Sequence, residues 1–324
     1  MPPKVSILVP VYNVSCYIER CAHSLFQQTF DDIEYIFVND CTQDNSIELL
    51  QKIIEQYPVR KPNVKIIHHE TNRGLAAARN TAIDHSTGAY IQVVDSDDWI
   101  DTDMVELMYR KAIEETADVV MCDIYIERKD CTEIFASKLF DNKDEDFLAI
   151  MEGKIFSSLW NKLVKRNLFE MPETRVPEGL NHGEDQHVIC RIFFYAQLVV
   201  QIQKACYHYV TYNQGSLTKK ITEENIDNFI LKWNLFDDFF KKESLEKGNR
   251  INQLKVTEKA RFLLLTPTRL LRKKLTYLYR DIELKYLNNL RLGEKMIIIF
   301  THFKLHFLAD WTIRLIRWKN KKYQ

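Results

Sequence analysis

Across 324 residues this sequence has only 8 glycines and 8 prolines, and its 7 cysteines contain no C-x-x-C pair. Little Gly and Pro, beside 28% charged and 46% hydrophobic residues, excludes a collagen-like or mainly disordered chain. No run of about 18 uncharged apolar residues occurs, so there is no good transmembrane span. An odd number of cysteines without paired spacing argues against a zinc cluster and fits the reduced thiols of a cytosolic protein. The start, Met1-Pro2-Pro3-Lys4, runs directly into a strand-like segment with no small-residue cleavage site, so we read no signal peptide. Also missing are G-x-G-x-x-G and G-x-x-x-x-G-K-[ST], which removes the dinucleotide fingerprint and the P-loop.

Net charge is absent too, with 45 Lys+Arg against 45 Asp+Glu, but the balance is not local. Residues 1–216 hold 21 Lys+Arg against 33 Asp+Glu, whereas residues 255–324 hold 17 against 5. An acidic front and a basic back point to two segments with different partners. The length, at a soft prior of about 150 residues per domain, likewise suggests two domains. We divide the chain into 1–216 and 217–324.

What is present first is alternation. Val5–Val9, Tyr35–Val38, Val64–Ile67, Tyr90–Val94 and Asp118–Cys122 read as strands, with the β-branched content of strands covered on both faces. Between them, roughly 14–28, 44–57, 74–86 and 103–116 read as helices. The second has a clear start, since Asp44 or Asn45 can cap it and Ile47, Leu50 and Ile54 share one face. The expected fold is therefore α/β, a mainly parallel, Rossmann-like sheet flanked by helices. Ligands of such sheets sit beyond the carboxyl ends of the strands. From about 126 to 216 the pattern is irregular. From about 222 it turns helical, with Ile226, Phe229, Ile230, Trp233, Phe236 and Phe240 on one apolar face.

The strand ends carry the chemistry. After strand one, Pro10 is expected to end the ladder. Tyr12 then lies at the sheet edge, where its ring can stack on a base or simply close a turn. Strand two ends in Asn39-Asp40, and with Asp44 better placed for capping, Asp40 is free to accept a proton from a ligand N–H. In Asn72-Arg-Gly-Leu-Ala-Ala-Ala-Arg-Asn80, Gly74 lets backbone approach a ligand, and Arg79 is a fork of donors suited to a diphosphate, or a solvated surface arginine. Strand four leads into Asp95-Ser96-Asp97-Asp98. Three carboxylates in four residues repel one another without a cation, and oxygen ligands favour Mg²⁺ or Mn²⁺. The alternative is an acidic turn in which Asp101 or Asp103 caps the next helix. Glu184-Asp185 precedes an apolar helical face, where a carboxylate can be a base or only a dipole partner. His182 and His187 flank that pair and read as structural or exposed.

These residues resemble family-2 glycosyltransferases of the GT-A fold. Four blocks match in order and spacing: Val9–Asn13, Val38–Ser46, Asn72–Asn80 and Asp95–Asp98. The resemblance continues through Trp160-Asn-Lys162, Gly183-Glu-Asp185 and Tyr207-His-Tyr209. In the second block Cys41 stands where the family usually has glycine. The resemblance implies a nucleotide-sugar donor, usually a UDP-sugar, and Mn²⁺ or Mg²⁺ on the D-x-D motif. It would place Pro10, Tyr12 and Asp40 at the base, Arg79 by the uracil or diphosphate, and Asp95 and Ser96 near the ribose or the metal's water shell. Asp97 would hold the metal together with Asp95, and His208 lies where some relatives supply a further ligand. Transfer would invert the anomeric carbon, with Asp185 as base and Glu184 as fallback. The acceptor would be a glycan or lipid-linked saccharide in polysaccharide or glycolipid assembly, and the enzyme a hexosyl- or N-acetylhexosaminyl-transferase. Two other readings stand beside this one. A sugar-nucleotide-binding protein without transfer is opposed by the presence of Asp95, Asp97 and Asp185. A nucleotidyltransferase would be expected to carry a Gly-rich basic loop where Pro10-Val-Tyr-Asn13 stands.

The tail matches no motif. Phe303, Phe307, Trp311, Ile313, Leu315 and Trp318 interleave with Lys304, Arg314, Arg317, Lys319, Lys321 and Lys322. One reading is peripheral contact with an anionic membrane, which would put a cytoplasmic protein on the inner face of the plasma membrane. The other is a helical packing domain with a solvated basic face. Nucleic acid fits least.

Overall fold

The computed structural model describes residues 2–140, 142–213, 222–243, 245 and 248–321. It divides into two compact units, Met1–Ser216 and Leu217–Gln324.

In the first unit, β1 (Val5–Val11), α1 (Ile18–Phe26), β2 (Ile33–Asn39), α2 (Ser46–Ile54), β3 (Val64–His68), α3 (Leu75–Asp84) and β4 (Tyr90–Val93) alternate along the chain. There follow β5 (Trp99–Ile100), α4 (Met104–Glu114), β6 (Val119–Glu127) and β7 (Thr132–Phe135), then α5 (Lys143–Met151), β8 (Lys162–Lys165), α6 (Glu184–Tyr195) and β9 (Val199–Val210). The strand order is β3-β2-β1-β4-β8-β6-β9-β5, with β7 on β6. All seven residues of β1 are buried, which is why the run carries no polar alternation.

The run β3-β2-β1-β4 is the parallel sheet that alternation predicts, and β6 pairs β9 parallel as well. Beyond β4 the sheet is mixed, because β8 inserts antiparallel between β4 and β6. Periodicity does not reveal β8. It is four residues long, and lysines stand at both of its ends.

Pro10 does not end its strand. It stays in register with Val38, and Val11 with Asn39. The missing N–H is tolerated because β4 pairs β1 only from Val5 to Leu8, so Pro10 has a strand on one side alone.

The described residues of the 126–213 stretch are more regular than their sequence suggests. The polar stretch near 141–146 starts α5, where the Asn142 side chain accepts from the N–H groups of Asp144 and Glu145. Three acidic residues in that first turn suit the positive end of the helix dipole.

The second unit contains α7 (Glu223–Lys242), α8 (Asn249–Leu265), α9 (Arg269–Thr276), α10 (Leu292–His302) and α11 (His306–Lys321). On α7, Ile226, Phe229, Trp233, Phe236 and Phe240 are buried and Ile230 half-buried. A buried ionic knot ties the unit together: the ammonium of Lys259 on α8 meets the Glu283 carboxylate, whose other oxygen lies 2.5 Å from Nδ1 of His302 on α10. Among the described residues no helix is long and apolar enough to cross a membrane. Lys322 and the side chain of Lys321 lie outside the described residues.

Candidate active site

The centre of the site is Arg79, buried on α3. Its Nη1 donates to Glu184 Oε1 at 2.9 Å and Asp185 Oδ1 at 2.7 Å, and its Nη2 to Asp95 Oδ1 at 3.0 Å. One guanidinium thus joins the loop after β4 to the first turn of α6. Arg79 is not a solvated arginine: its two terminal nitrogens already donate to three carboxylates. Burial lowers the pKa of its guanidinium, but the combined charge of Asp185, Asp95 and Glu184 outweighs this and raises it above the usual range.

Glu184 and Asp185 open α6 directly after Gly183, which is left-handed at φ +85°. Glu184 is the deeper of the two, with side-chain exposures of 9% and 21%. Loss of solvent pushes the Asp185 carboxyl up to about 7, with Glu184 and Asp95 adding to the rise and Arg79 and Lys162 opposing it. Lys162 itself is pushed down to about 7 by burial. Its ammonium is held by the carbonyls of Phe156 and Ser158, each at 2.8 Å, and by Asn161 Oδ1 at 2.6 Å.

The acidic trio after β4 divides. Asp98 turns inward, where its Oδ2 accepts from the Tyr207 hydroxyl at 2.8 Å and its Oδ1 from the Val210 N–H at 2.7 Å. Burial and the charges of Asp97 and Asp95 push its carboxyl well up. Asp98 therefore pins this loop to β9, and the same Tyr207 hydroxyl accepts from the Asp95 N–H at 3.1 Å. Asp97 accepts from Asn213 Nδ2 at 2.8 Å, and burial followed by the Asp95 charge raises its pKa. Two neighbouring carboxylates with little solvent form an all-oxygen donor set that fits a hard divalent cation. Ser96 is buried between them in the chain.

His208 is placed elsewhere. Its Nδ1 lies 2.8 Å from Glu127 and its Nε2 3.0 Å from Asp101, while its ring stacks between Trp99 and Tyr125. Both of its ring nitrogens thus lie within hydrogen-bond distance of carboxylates other than Asp97. A separate gathering of ligand-type atoms, Asp101, Asp103 and Cys206, is committed to other partners, since Asp103 pairs with Lys204 and Asp101 with His208.

At the end of β2, Asp40 is not free. Its Oδ1 accepts from the Arg73 N–H at 2.8 Å and lies 2.7 Å from His69 Nδ1, and its Oδ2 accepts from the Gly74 N–H at 2.7 Å. Asp40 builds the loop ahead of α3. Gly74 takes φ +86°, and a Cβ there would stand 3.0 Å from Asn181 Oδ1, so its close approach is to the chain before α6. Tyr12 is 44% exposed just past β1. Asp44 accepts from Ser46 N–H and its hydroxyl at the start of α2, and also from the Ser15 N–H. These bonds hold its carboxyl well below the usual range, against the opposing effect of burial. Asn45 makes no side-chain cap.

Cys41 is left-handed at φ +58°, the conformation that glycine supplies without strain. A Cβ costs about 1–2 kcal/mol there, while glycine's extra backbone entropy returns about 0.5–1 kcal/mol. Cys41→Gly is thus expected to hold or raise the denaturation midpoint, measured in urea. A clear drop would mean that the thiol's contacts with Glu70 O and Gln43 Nε2, each at 3.7 Å, outweigh the strain.

The family model for glycosyl transferase family 2 matches residues 6–171, the segment that contains the first three strand-end blocks, the D-x-D loop and Lys162. The chain belongs to that family. Among its relatives, EpsH of Bacillus subtilis (strain 168) is 39% identical over 214 residues, which is 64% of this chain and 60% of EpsH. Two solved structures are similar in fold. S. aureus TarS 1–349 in complex with UDP has a TM-score of 0.66 at 18% identity, covering 99% of this chain and 92% of that one. The mannosyltransferase PcManGT from Pyrobaculum calidifontis, in complex with GDP-Man and Mn²⁺, has a TM-score of 0.51 at 17% identity, covering 96% and 84%. The fold is that of the GT-A transferases, with a helical C-terminal region.

In this family-2 member several site residues carry no sequence signal of their role. Asn213 and Tyr207 reach the D-x-D loop from β9 and the chain beyond it. Arg20 lies 3.5 Å over the Trp99 ring, donates to the Tyr212 hydroxyl at 3.1 Å, and lowers the pKa of Asp97 against the net rise. His187 is buried, and burial pushes its imidazole down to about 3, which makes it a neutral core residue.

Proposed function

We propose that this chain transfers a sugar from a UDP-sugar to a hydroxyl of a glycan or lipid-linked acceptor, inverting the anomeric centre, in polysaccharide or glycolipid assembly. The observation that carries this reading is the joining of Asp95 and Asp185 through one buried arginine. A cation-side carboxylate and a candidate base are held in one rigid cluster. The fold shared with UDP-bound TarS and with PcManGT bound to GDP-Man and Mn²⁺ supports a nucleotide-sugar donor.

Asp185 takes the proton from the attacking hydroxyl, a role suited to a carboxyl pushed up to about 7. Glu184, less exposed, helps to fix the guanidinium that orients Asp185. Asp97, with Asp95, would hold Mn²⁺ or Mg²⁺, which when bound supplies positive charge to the departing diphosphate. Tyr12 offers a face to the base, and Asp40 shapes the Arg73–Gly74 backbone beside it. We place the protein in the cytoplasm, where nucleotide sugars are made.

The reading is tested by UDP release from a panel of UDP-sugars with and without Mn²⁺, and by NMR of the product's anomeric configuration. Retention of configuration, or absence of release with every donor, overturns it. Asp97→Asn is expected to weaken Mn²⁺-dependent UDP binding at least about tenfold in calorimetry. UDP uptake that ignores the divalent ion in the unmodified protein would remove the cation from the reading.

A further inference from the structure

The second unit concentrates exposed apolar surface. Of the eighteen large hydrophobic side chains exposed among the described residues, twelve lie between Leu265 and Trp318. They are not scattered. On α11, Phe307, Trp311 and Leu315 recur at a spacing of four residues, which is one helix face, at 79%, 55% and 38% exposure. The opposite face of α11 buries Ala309, Thr312 and Ile313, and the helix packs on α10. The exposed face is therefore additional to the packing one.

Helix α9 lies beside α11. A cavity of about 410 Å³ has Arg269, Leu270 and Lys273 of α9 on one side and His306, Ala309 and Asp310 of α11 on the other. Leu270 at this cavity is 78% exposed. Among the described residues no carboxylate pairs with Arg269, Lys273 or Arg314. The acidic group on the rim, Asp310, is already neutralised by Arg272 at 2.5 Å. The face is thus cationic and aromatic together.

We propose that the α9–α11 face docks on an anionic phospholipid membrane. Charge complementarity selects this occupant. Protein-interface cores are depleted of lysine and other charges, whereas here Arg269 and Lys273 of α9 and Arg314 of α11, with no carboxylate partner among the described residues, accompany Phe307 and Trp311. A bilayer interface takes both, the rings at headgroup level and the cations against anionic lipid. The aromatic face is one helix deep, which suits lying in the interface and not crossing it. This docking depends on no step of the proposed transfer.

The test uses the full chain in flotation with phosphatidylcholine vesicles, with and without phosphatidylglycerol. Binding is expected only with the anionic lipid, and it should fall as salt rises. Phe307→Ala with Trp311→Ala should lower partitioning at least about tenfold. Arg269→Glu with Lys273→Glu should lower it about 25-fold, at about fivefold per cation lost. The second pair lies on exposed positions and serves if the first perturbs folding. UDP binding measured on the same samples reports an intact first unit, so failure here is distinguishable from failure of the transferase reading. Equal partitioning onto neutral vesicles, or none onto anionic ones, overturns the proposal. So does light scattering that shows a dimer which the Phe307→Ala, Trp311→Ala variant converts to monomer, because a second copy would then cover the face.

Discussion

Asp185→Asn is expected to slow sugar transfer by about 10²–10⁴-fold while leaving UDP binding intact. The amide keeps the size of the side chain and can still face the Arg79 guanidinium, but it cannot take up the acceptor's proton. Donor binding has no need of that proton, so calorimetry with UDP should change little. The pH profile gives a second readout. A base pushed up to about 7 is ionised above that pH and protonated below it. The unmodified enzyme should therefore gain rate as pH rises through about 7 and level off above, whereas any residual rate of Asp185→Asn should lack that limb. Glu184→Gln provides the contrast. If it matches Asp185→Asn in rate and Asp185→Asn keeps the limb, the base is Glu184.

Arg79→Met should be the most destabilising single change in the first unit. Removal of the guanidinium leaves Asp95, Glu184 and Asp185 facing one another with no cation between them. Breaking a buried ion pair from one side costs about 3–5 kcal/mol, and three carboxylates depend on this one group. The variant should unfold at much lower urea. In whatever remains folded, the acidic limb of the pH profile should move upward, because Arg79 holds the Asp185 pKa down. Arg79→Lys keeps the charge but loses the fork, so it should fall between the two. An Arg79→Met protein with unchanged stability and an unmoved limb would mean that Arg79 is not the joint of the site.

Much of the first unit is legible in its local amino-acid pattern. The helices over 46–54, 75–84 and 104–114 and the strands at 5–11, 33–39, 64–68 and 90–93 follow from runs whose burial the amino acids declare themselves. Apolar period and capping chemistry act over a few residues, so a local pattern suffices. The strand-end blocks are legible for the same reason, since a loop after a buried strand must lie at the sheet edge. Roles are another matter. The chain neighbours of Arg79 say nothing of its contacts with Glu184 and Asp185, more than a hundred residues away. His208 has the position of a metal ligand, yet Glu127 and Asp101 take both of its nitrogens. Asp98 stands in an acidic cluster, yet Tyr207 turns it inward.

By itself, then, the amino-acid order determined the α/β alternation, the family blocks, and the split between an acidic front and a basic back. These depend on short-range periodicity and on composition, which are properties of the chain alone. Only the tertiary structure decided that β8 breaks the parallel sheet, that one buried arginine joins three carboxylates, and that α9 and α11 line one cavity. Each of those depends on groups far apart in the chain meeting where solvent is scarce, and burial of that kind is a property of the packed fold.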